Sequence, residues 1–510
     1  MTDAPTPLRT DETPCLLFPE LHERGGGLQR AVQERSSLYA RGWEHVLLLT
    51  TGFSRGWERV PAAMKERGTL DPRVRVRNFF AHSRWAGRLG VPPLAAYAVP
   101  GEVGVETDAQ RLPGREPVRL ADRRPGERRP FRYRYFDRQG ALLLTTFPGR
   151  ESKHEQRGVD AEGHAVDWPG MLAEWVDEEL ADLRRPVLFS LQRGLNDPVL
   201  MASRRAYRRV ASLHNCHYVD PEDRWSGTRP SFRTLFTQAS KVDTVVCLTE
   251  QQRLELERDA PGAHLVSIPY PGRPPVAEDV AKEPGLVVLV GQLVDRKRVD
   301  HAIRAMAQVV AEVPHARLEV YGEGPAHEAL QRLVDELGLA GVVTLKGYSH
   351  EVGRAQARAC CTLMTSTFEG FARVIGESMV RGTPVVSYDV RYGPRDLVRH
   401  EVDGLLVTEH TPDALAAAVL TLLRDPERAY AMGRRAPEIV ERFPVEDFER
   451  AWTAVLTEPA RRAGIRARAS DLRVRARRSP TVRRLRRLGA ALPRRGARPG
   501  RRAAGRTCAR

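Results

Sequence analysis

Two glutamates eight positions apart, Glu369 and Glu377, lie in the stretch 357–390, which reads ARACCTLMTSTFEGFARVIGESMVRGTPVVSYDV. An ionised carboxylate only accepts hydrogen bonds and does so through two oxygens, so a pair of them facing a cleft can grip the hydroxyls of a sugar. The spacing alone is weak, because any glutamate can meet a second one at this distance by chance. Three further groups of residues have chemistry to offer. Arg296, Lys297 and Arg298 follow Val290-Gly291-Gln292 at the end of an apolar run and form a cationic cluster, or else a solvated helix start. Gly25, Gly26 and Gly27 stand between an apolar run and a helical stretch, where backbone amides can point at an anion or where the chain merely turns. His214 and His217 end another apolar run at a spacing open to three readings: a metal pair, a satisfied core histidine or a ligand contact. No third metal ligand is nearby, which weakens the first.

The elements that position these residues are regular in the second half of the chain. Apolar runs at 286–290, 317–321, 342–346, 360–364, 384–388 and 405–407 alternate with helical patterns at 299–312, 326–337, 371–381 and 412–424. That alternation predicts a doubly wound parallel sheet, with Glu369 in a loop at the carboxyl edge and Glu377 in the helix that follows. In the first half, 15–20, 45–50, 186–191, 209–214 and 242–248 read as strands and 28–40 as a helix. The pattern from 50 to about 185 is irregular except for 131–147, FRYRYFDRQGALLLTTF, which alternates around a turn and reads as a β-hairpin. Residues 268–283 are rich in proline and acid and read as a linker. The expected organisation is a first domain at 1–272, a second at 273–445, an amphipathic crossover helix at 446–460 and a tail at 461–510.

Composition limits the partners. The net charge of +16 over 510 residues is concentrated in the tail, where nineteen arginines face one acid, Asp471. The body is therefore close to neutral, and its cleft is not expected to bind nucleic acid specifically. Six cysteines (15, 216, 247, 360, 361 and 508) show no metal spacing and suit a reduced compartment. The amino terminus lacks the basic start and apolar core of a signal peptide, and no run approaches the roughly 18 apolar residues of a spanning helix. A cytoplasmic protein is expected. Within the tail, Val482, Leu485, Leu488 and Leu492 recur at helical spacing among arginines, a pattern suited to the anionic inner face of a membrane, to an anionic polymer or to a solvated segment without a partner. No G-x-G-x-x-G opens the first helix of either domain and there is no P-loop, which argues against a hydride-transferring enzyme.

The FEGF sequence before the helix carrying Glu377, followed by RGTPVVSYD, resembles the paired-glutamate signature of the retaining GT-B glycosyltransferases of family 4. Tyr388-Asp-Val-Arg-Tyr-Gly-Pro394 and the early hairpin are similar to the teichoic acid glycosyltransferase group, poly(glycerol-phosphate) alpha-glucosyltransferases among them, and to a cousin group acting on serine-rich proteins. The resemblance implies two Rossmann-like domains facing a cleft and transfer of a hexose or N-acetylhexosamine from UDP-glucose or UDP-N-acetylglucosamine to a polymeric or lipid-linked acceptor. It implies no cofactor and no metal. It assigns Glu369 to the sugar hydroxyls, Glu377 to the ribose, Lys297 to the diphosphate, Gly26 and Gly27 to the phosphate and acceptor side, and Gly370 and Phe371 to the donor. A histidine contacts the donor sugar near the reacting carbon, His217 preferred and His214 second. Gln292 stands where an arginine is expected, so that either Arg296 or Arg298 supplies the missing charge or turnover is impaired. The rival expectations are an anionic-polymer or nucleic-acid binding protein on a GT-B scaffold and a transferase acting on protein or lipid.

Overall fold

A continuous run of residues buried on both faces is what a central strand of a helix-covered sheet requires, and the first strand shows it. Leu16 and Phe18 enter one core while Cys15 and Leu17 enter another. In a computed structural model, residues 9, 11–23, 25–97, 102–112, 117–148, 155–260, 262–274 and 280–457 are described. The arginine tail, Cys508 and the middle of the expected linker lie outside the described residues.

The first domain opens with strands β1 (Glu12–Phe18), β2 (Val46–Thr50) and β3 (Val74–Asn78). An insertion follows, β4 (Glu106–Arg111), β5 (Pro117–Arg123), β6 (Arg132–Phe136), β7 (Leu142–Pro148), β8 (Glu155–Asp160) and β9 (Ala165–Val166). The domain resumes with β10 (Arg185–Ser190), β11 (Arg208–Ser212), β12 (Thr244–Cys247) and β13 (Leu265–Ser267). Its parallel sheet has the order β13-β12-β11-β10-β1-β2-β3. The second domain contributes β14 (Leu286–Val290), β15 (Arg317–Tyr321), β16 (Val343–Gly347), β17 (Cys361–Met364), β18 (Val385–Tyr388) and β19 (Gly404–Val407), in the parallel order β16-β15-β14-β17-β18-β19. In both sheets the order reverses beside the first strand, which opens a ligand crevice at the carboxyl edge.

The insertion is larger than the hairpin expected from sequence. The predicted strands pair as β6 and β7, with Tyr133 opposite Thr146, but they are the middle of a six-stranded antiparallel sheet in sequential order. Asp137 makes the turn by accepting from the amides of Gln139 and Ala141, each at 2.9 Å. Inside the sheet, Asp122 is fully buried yet gripped by Arg132 and Arg134 at 2.7 Å. Burial alone would raise its carboxyl; the hydrogen bonds from Arg134, Arg132 and Thr107 outweigh burial and hold it below the usual range. Phe79, Phe80, Trp85, Tyr135 and Trp168 stack edge and face to join the insertion to the parallel sheet. β3 was also missed, because its charged residues Arg75 and Arg77 hide a short edge strand.

The terminal helix Val445–Thr457 joins the two domains. Trp452 is fully buried, its ring 6.2 Å from Phe189 of β10 and carrying the Arg35 guanidinium at 3.7 Å.

Candidate functional site

The loop leaving β17 places Glu369 and is itself tied to the turn after β14. Thr365 Oγ1 donates to the carbonyl of Lys297 at 2.7 Å, and the Thr367 amide donates to that of Arg296 at 2.8 Å. These bonds bring Lys297 Nζ to 2.5 Å from Glu369 Oε1, where Ser366 Oγ also donates at 2.7 Å. The Glu369 side chain is 13% exposed. Burial pushes its carboxyl up, but the charges of Lys297 and Arg296 and the two hydrogen bonds prevail and keep it below the ordinary range. It is thus a fixed anion with an open edge, suited to accepting hydroxyl protons.

Across the cleft, Gly26 is the N-cap of the helix Gly27–Gly42 and, being glycine, brings no capping side chain to its first amides. Those donors and the helix dipole form an anion-binding end. Gln29 holds the approach by bonding both the amide and the carbonyl of His22 at 2.8 Å, and a Cβ on Gly25 would meet Gln29 Cδ at 2.2 Å, so a larger residue there would displace the Gln29 side chain. The loop faces the second domain closely. A Cβ on Gly26 would lie 3.8 Å from Gln292 Nε2, and one on Gly27 would lie 4.0 Å from Arg373 Cδ. Glu377, expected about two turns into its helix, is the fifth residue of the shorter helix Arg373–Met379 and is 31% exposed, with Arg30 Nη1 at 3.5 Å and Arg373 Nε at 3.9 Å. Gly26, Gly27, Gln292, Lys297, Glu369 and Glu377 are therefore gathered about one opening between the sheets.

The remaining expected residues are distributed differently. Gly370 is pressed on the first domain, where an added Cβ would stand 2.2 Å from the carbonyl oxygen of His214. Phe371 turns its side chain away from the opening, buried against Tyr270 at 5.4 Å and Phe443 at 6.3 Å. His217, preferred as the histidine at the sugar, is instead fully buried, its Nε2 3.2 Å from Asp259 and its Nδ1 3.4 Å from Tyr392 Oη. His214 is the partly exposed one; its ring nitrogens lie 3.0 Å from Ser212 Oγ and 3.0 Å from Tyr270 Oη. Burial, then the charges of Arg35, Arg193 and Arg373, push it well below the usual imidazole range, so it is neutral. The two histidines have separate partners rather than a common ligand point. Arg296 stays beside Glu369, its guanidinium 6.0 Å from the Phe368 ring, whereas Arg298, in a left-handed conformation (φ 45°), lines another cavity.

The 388–394 loop is a clasp between domains. Arg391 donates to Glu255 at 3.1 Å and to the Pro221 carbonyl at 2.7 Å, and Tyr392 Oη donates to Glu255 at 2.5 Å. Tyr392 is fully buried with Cys216, Tyr218 and Phe368. Its amide donates to the Glu369 carbonyl at 2.9 Å, and the Glu369 amide donates to the Arg391 carbonyl at 2.8 Å, so the clasp also fixes the carboxylate loop. Two cavities flank the opening. One of about 560 Å³ lies between the domains beside Arg298, Thr367, Arg391 and His410. The other, about 440 Å³, lies between the segment preceding the glycines and the insertion, lined by Glu23, Ser54, Arg55, Arg59, Arg119 and Tyr133.

Sequence reading missed Arg30, Glu34 and Arg373. A signal was present: Gly27, Arg30, Glu34 and Arg41 fall on one helical face, and Arg41 pairs with Glu449 at 2.6 Å. Their partners are more than 300 residues away, where no local pattern points.

Comparison with known proteins agrees with this geometry. A family profile described as Glycosyl transferases group 1 matches residues 275–439. The poly(glycerol-phosphate) alpha-glucosyltransferase of Bacillus subtilis (strain 168) is 28% identical over 256 residues, 49% of this chain and 37% of that relative. An exopolysaccharide phosphotransferase of Streptomyces coelicolor is 34% identical over 230 residues, 44% of this chain and 24% of that relative. The chain thus spans well under half the length of either. The crystal structure of an S. aureus TarM variant in complex with Fondaparinux, alpha-GlcNAc-glycerol and UDP matches with a TM-score of 0.66 at 17% identity, covering 88% of this chain and 100% of that one. At that identity the fold is what is shared: two Rossmann-like domains around a cleft. Residues 275–439 are therefore a glycosyl transferases group 1 domain, and the chain that carries them has the GT-B fold.

Proposed function

We propose that the protein is a retaining glycosyltransferase that moves a hexose or N-acetylhexosamine from a UDP-sugar to a hydroxyl of a polyol-phosphate wall polymer, without a metal. The observation that carries this reading is the Lys297–Glu369 pair at 2.5 Å opposite the uncapped amides of Gly27–Gly42. Breaking the glycosidic bond leaves negative charge on the UDP diphosphate and positive character on the anomeric carbon. Lys297, Arg296 and the helix end offset the first, the work a metal performs elsewhere. Glu369 orients the sugar hydroxyls and Glu377 the ribose. Glu369, locked by Lys297 and Ser366, is not placed as a nucleophile or a proton donor, which favours front-face attack. The acceptor oxygen then bonds to the anomeric carbon as the carbon–oxygen bond to phosphate breaks, and the acceptor proton passes to a donor phosphate oxygen. In this reading the domains divide at 272/273, and the tail at 461–510 supplies a basic contact with an anionic membrane surface.

The primary test is release of free UDP from a panel of UDP-sugars. Wild type is expected to hydrolyse or transfer one of them, and Glu369→Ala and Glu377→Ala are each expected to lose the signal. No release from any nucleotide sugar, with or without acceptor, would favour a binding protein on this scaffold.

The cavity beside the insertion supports a phosphate-bearing acceptor, since Arg55, Arg59 and Arg119 line it. Arg59→Ala is expected to raise KM for poly(glycerol phosphate) about 10- to 30-fold, one lost charge-assisted contact, while donor hydrolysis in the absence of acceptor is unchanged. An unchanged acceptor KM would place the polymer elsewhere.

A further inference from the structure

Three cations among the described residues here are held by carboxylates of the protein: Lys297 by Glu369, Arg30 by Glu377, and Arg373 by Glu34 through two bonds of 3.1 and 2.7 Å. The third pair differs from the others. Glu34 belongs to the first domain and Arg373 to the second, so this pair spans the cleft itself. Arg373 also lies over the Tyr270 ring at 4.5 Å, with 21% of its side chain exposed, and its Cδ sits beside Gly27 at the anion-binding helix end. Gln292, facing the neighbouring Gly26, brings an amide and no charge. A nucleoside diphosphate placed between Lys297 and this helix end would lie within reach of Arg373, on the side where Gln292 brings no charge.

We infer that Arg373 is a diphosphate ligand held in reserve by Glu34. When the donor binds, rotation about the outer side-chain bonds moves the guanidinium from the Glu34 carboxylate to the phosphate beside Gly27, exchanging one anion for another at little cost in desolvation. Glu34 then acts as the parking position for the guanidinium before the donor arrives. This inference rests on the donor site proposed above and adds the cation that Gln292 does not provide.

The experiment is calorimetric titration of the full chain with UDP and with UMP, which lacks the second phosphate. Arg373→Gln is expected to bind UDP about 30-fold more weakly, the worth of one charge-assisted contact, and to lose less for UMP. Glu34→Gln is expected to bind UDP at least as tightly as wild type, because the guanidinium no longer has to be displaced. Combining Arg373→Gln with Gln292→Arg is expected to restore about tenfold, since the charge returns on the adjacent glycine. A purely structural role makes the opposite prediction: Glu34→Gln and Arg373→Gln would weaken UDP equally, and the charge at position 292 would rescue nothing. Either of those results, or an Arg373→Gln variant within about threefold of a UDP-binding wild type, overturns the inference alone. A wild type that binds neither nucleotide overturns the donor-site reading with it.

Discussion

Lys297→Met is expected to reduce turnover of the UDP-sugar by about 10²–10³-fold, with a smaller loss in Lys297→Arg. Lys297 is the cation fixed most rigidly at the opening, with its own carbonyl held by Thr365 and its ammonium 2.5 Å from Glu369. Its charge counts most when the diphosphate leaves, so kcat falls more than UDP affinity. Stability should move as well. Glu369 is a nearly buried carboxylate whose range lies below the ordinary one because cations and hydrogen bonds overcome its burial. A depressed carboxyl contributes stability above the unfolded-state range and loses it as the pH falls through its folded-state range. Removing Lys297 takes away the main support of that depression. The variant is therefore expected to melt below wild type at neutral pH, with the difference shrinking under acid conditions where the carboxylate is protonated in both. Thermal melts across pH, run beside single-turnover assays, check both parts; an unchanged kcat would remove Lys297 from the chemistry.

Gly370→Ala is the second large effect. The added methyl would stand 2.2 Å from the His214 carbonyl oxygen, 2.4 Å from its carbon and 2.8 Å from the Asn215 amide nitrogen, all backbone atoms that do not swing aside. The first and second domains meet here, one residue from Glu369 and beside the clasp made by Arg391 and Tyr392. Relief therefore comes from separation of the domains rather than from local repacking. A displacement of about 1 Å between Glu369 and the glycine loop is expected to lower kcat on the order of 100-fold. The stability cost is about 1–3 kcal/mol, typical of overpacking. Tyr392→Phe serves as a milder companion: it removes the hydroxyl bond to Glu255 but keeps the ring, and should loosen closure with less loss of rate. X-ray scattering with and without UDP measures the separation, and a closed, fully active Gly370→Ala protein would contradict the argument.

The second domain was largely legible in the chain because its strands are apolar runs at regular intervals, and burial on both faces leaves a continuous apolar record. The insertion was not. Its strands carry arginines, aspartates and threonines on a half-exposed antiparallel sheet, so only the hairpin with the strongest alternation and a turn aspartate stood out. The histidines show the same limit at the level of a site. His214 and His217 sit on one short segment, and nothing local says which one faces the opening; Asp259 and Tyr392, 42 and 175 positions from His217, enclose it.

By itself the sequence determined the alternation of strands and helices that makes the second domain, the sheet edge at which the strand order reverses, and the chemical types placed there: two carboxylates and a basic turn, with a glycine loop in the first domain. Those follow from local periodicity, and the physics that reads them acts over a few residues. The tertiary structure alone decided which cation meets which carboxylate. It set Lys297 on Glu369, moved Arg298 to another cavity, and brought Arg373 across to Glu34, since a salt bridge depends on distance in space and carries no mark in the chain.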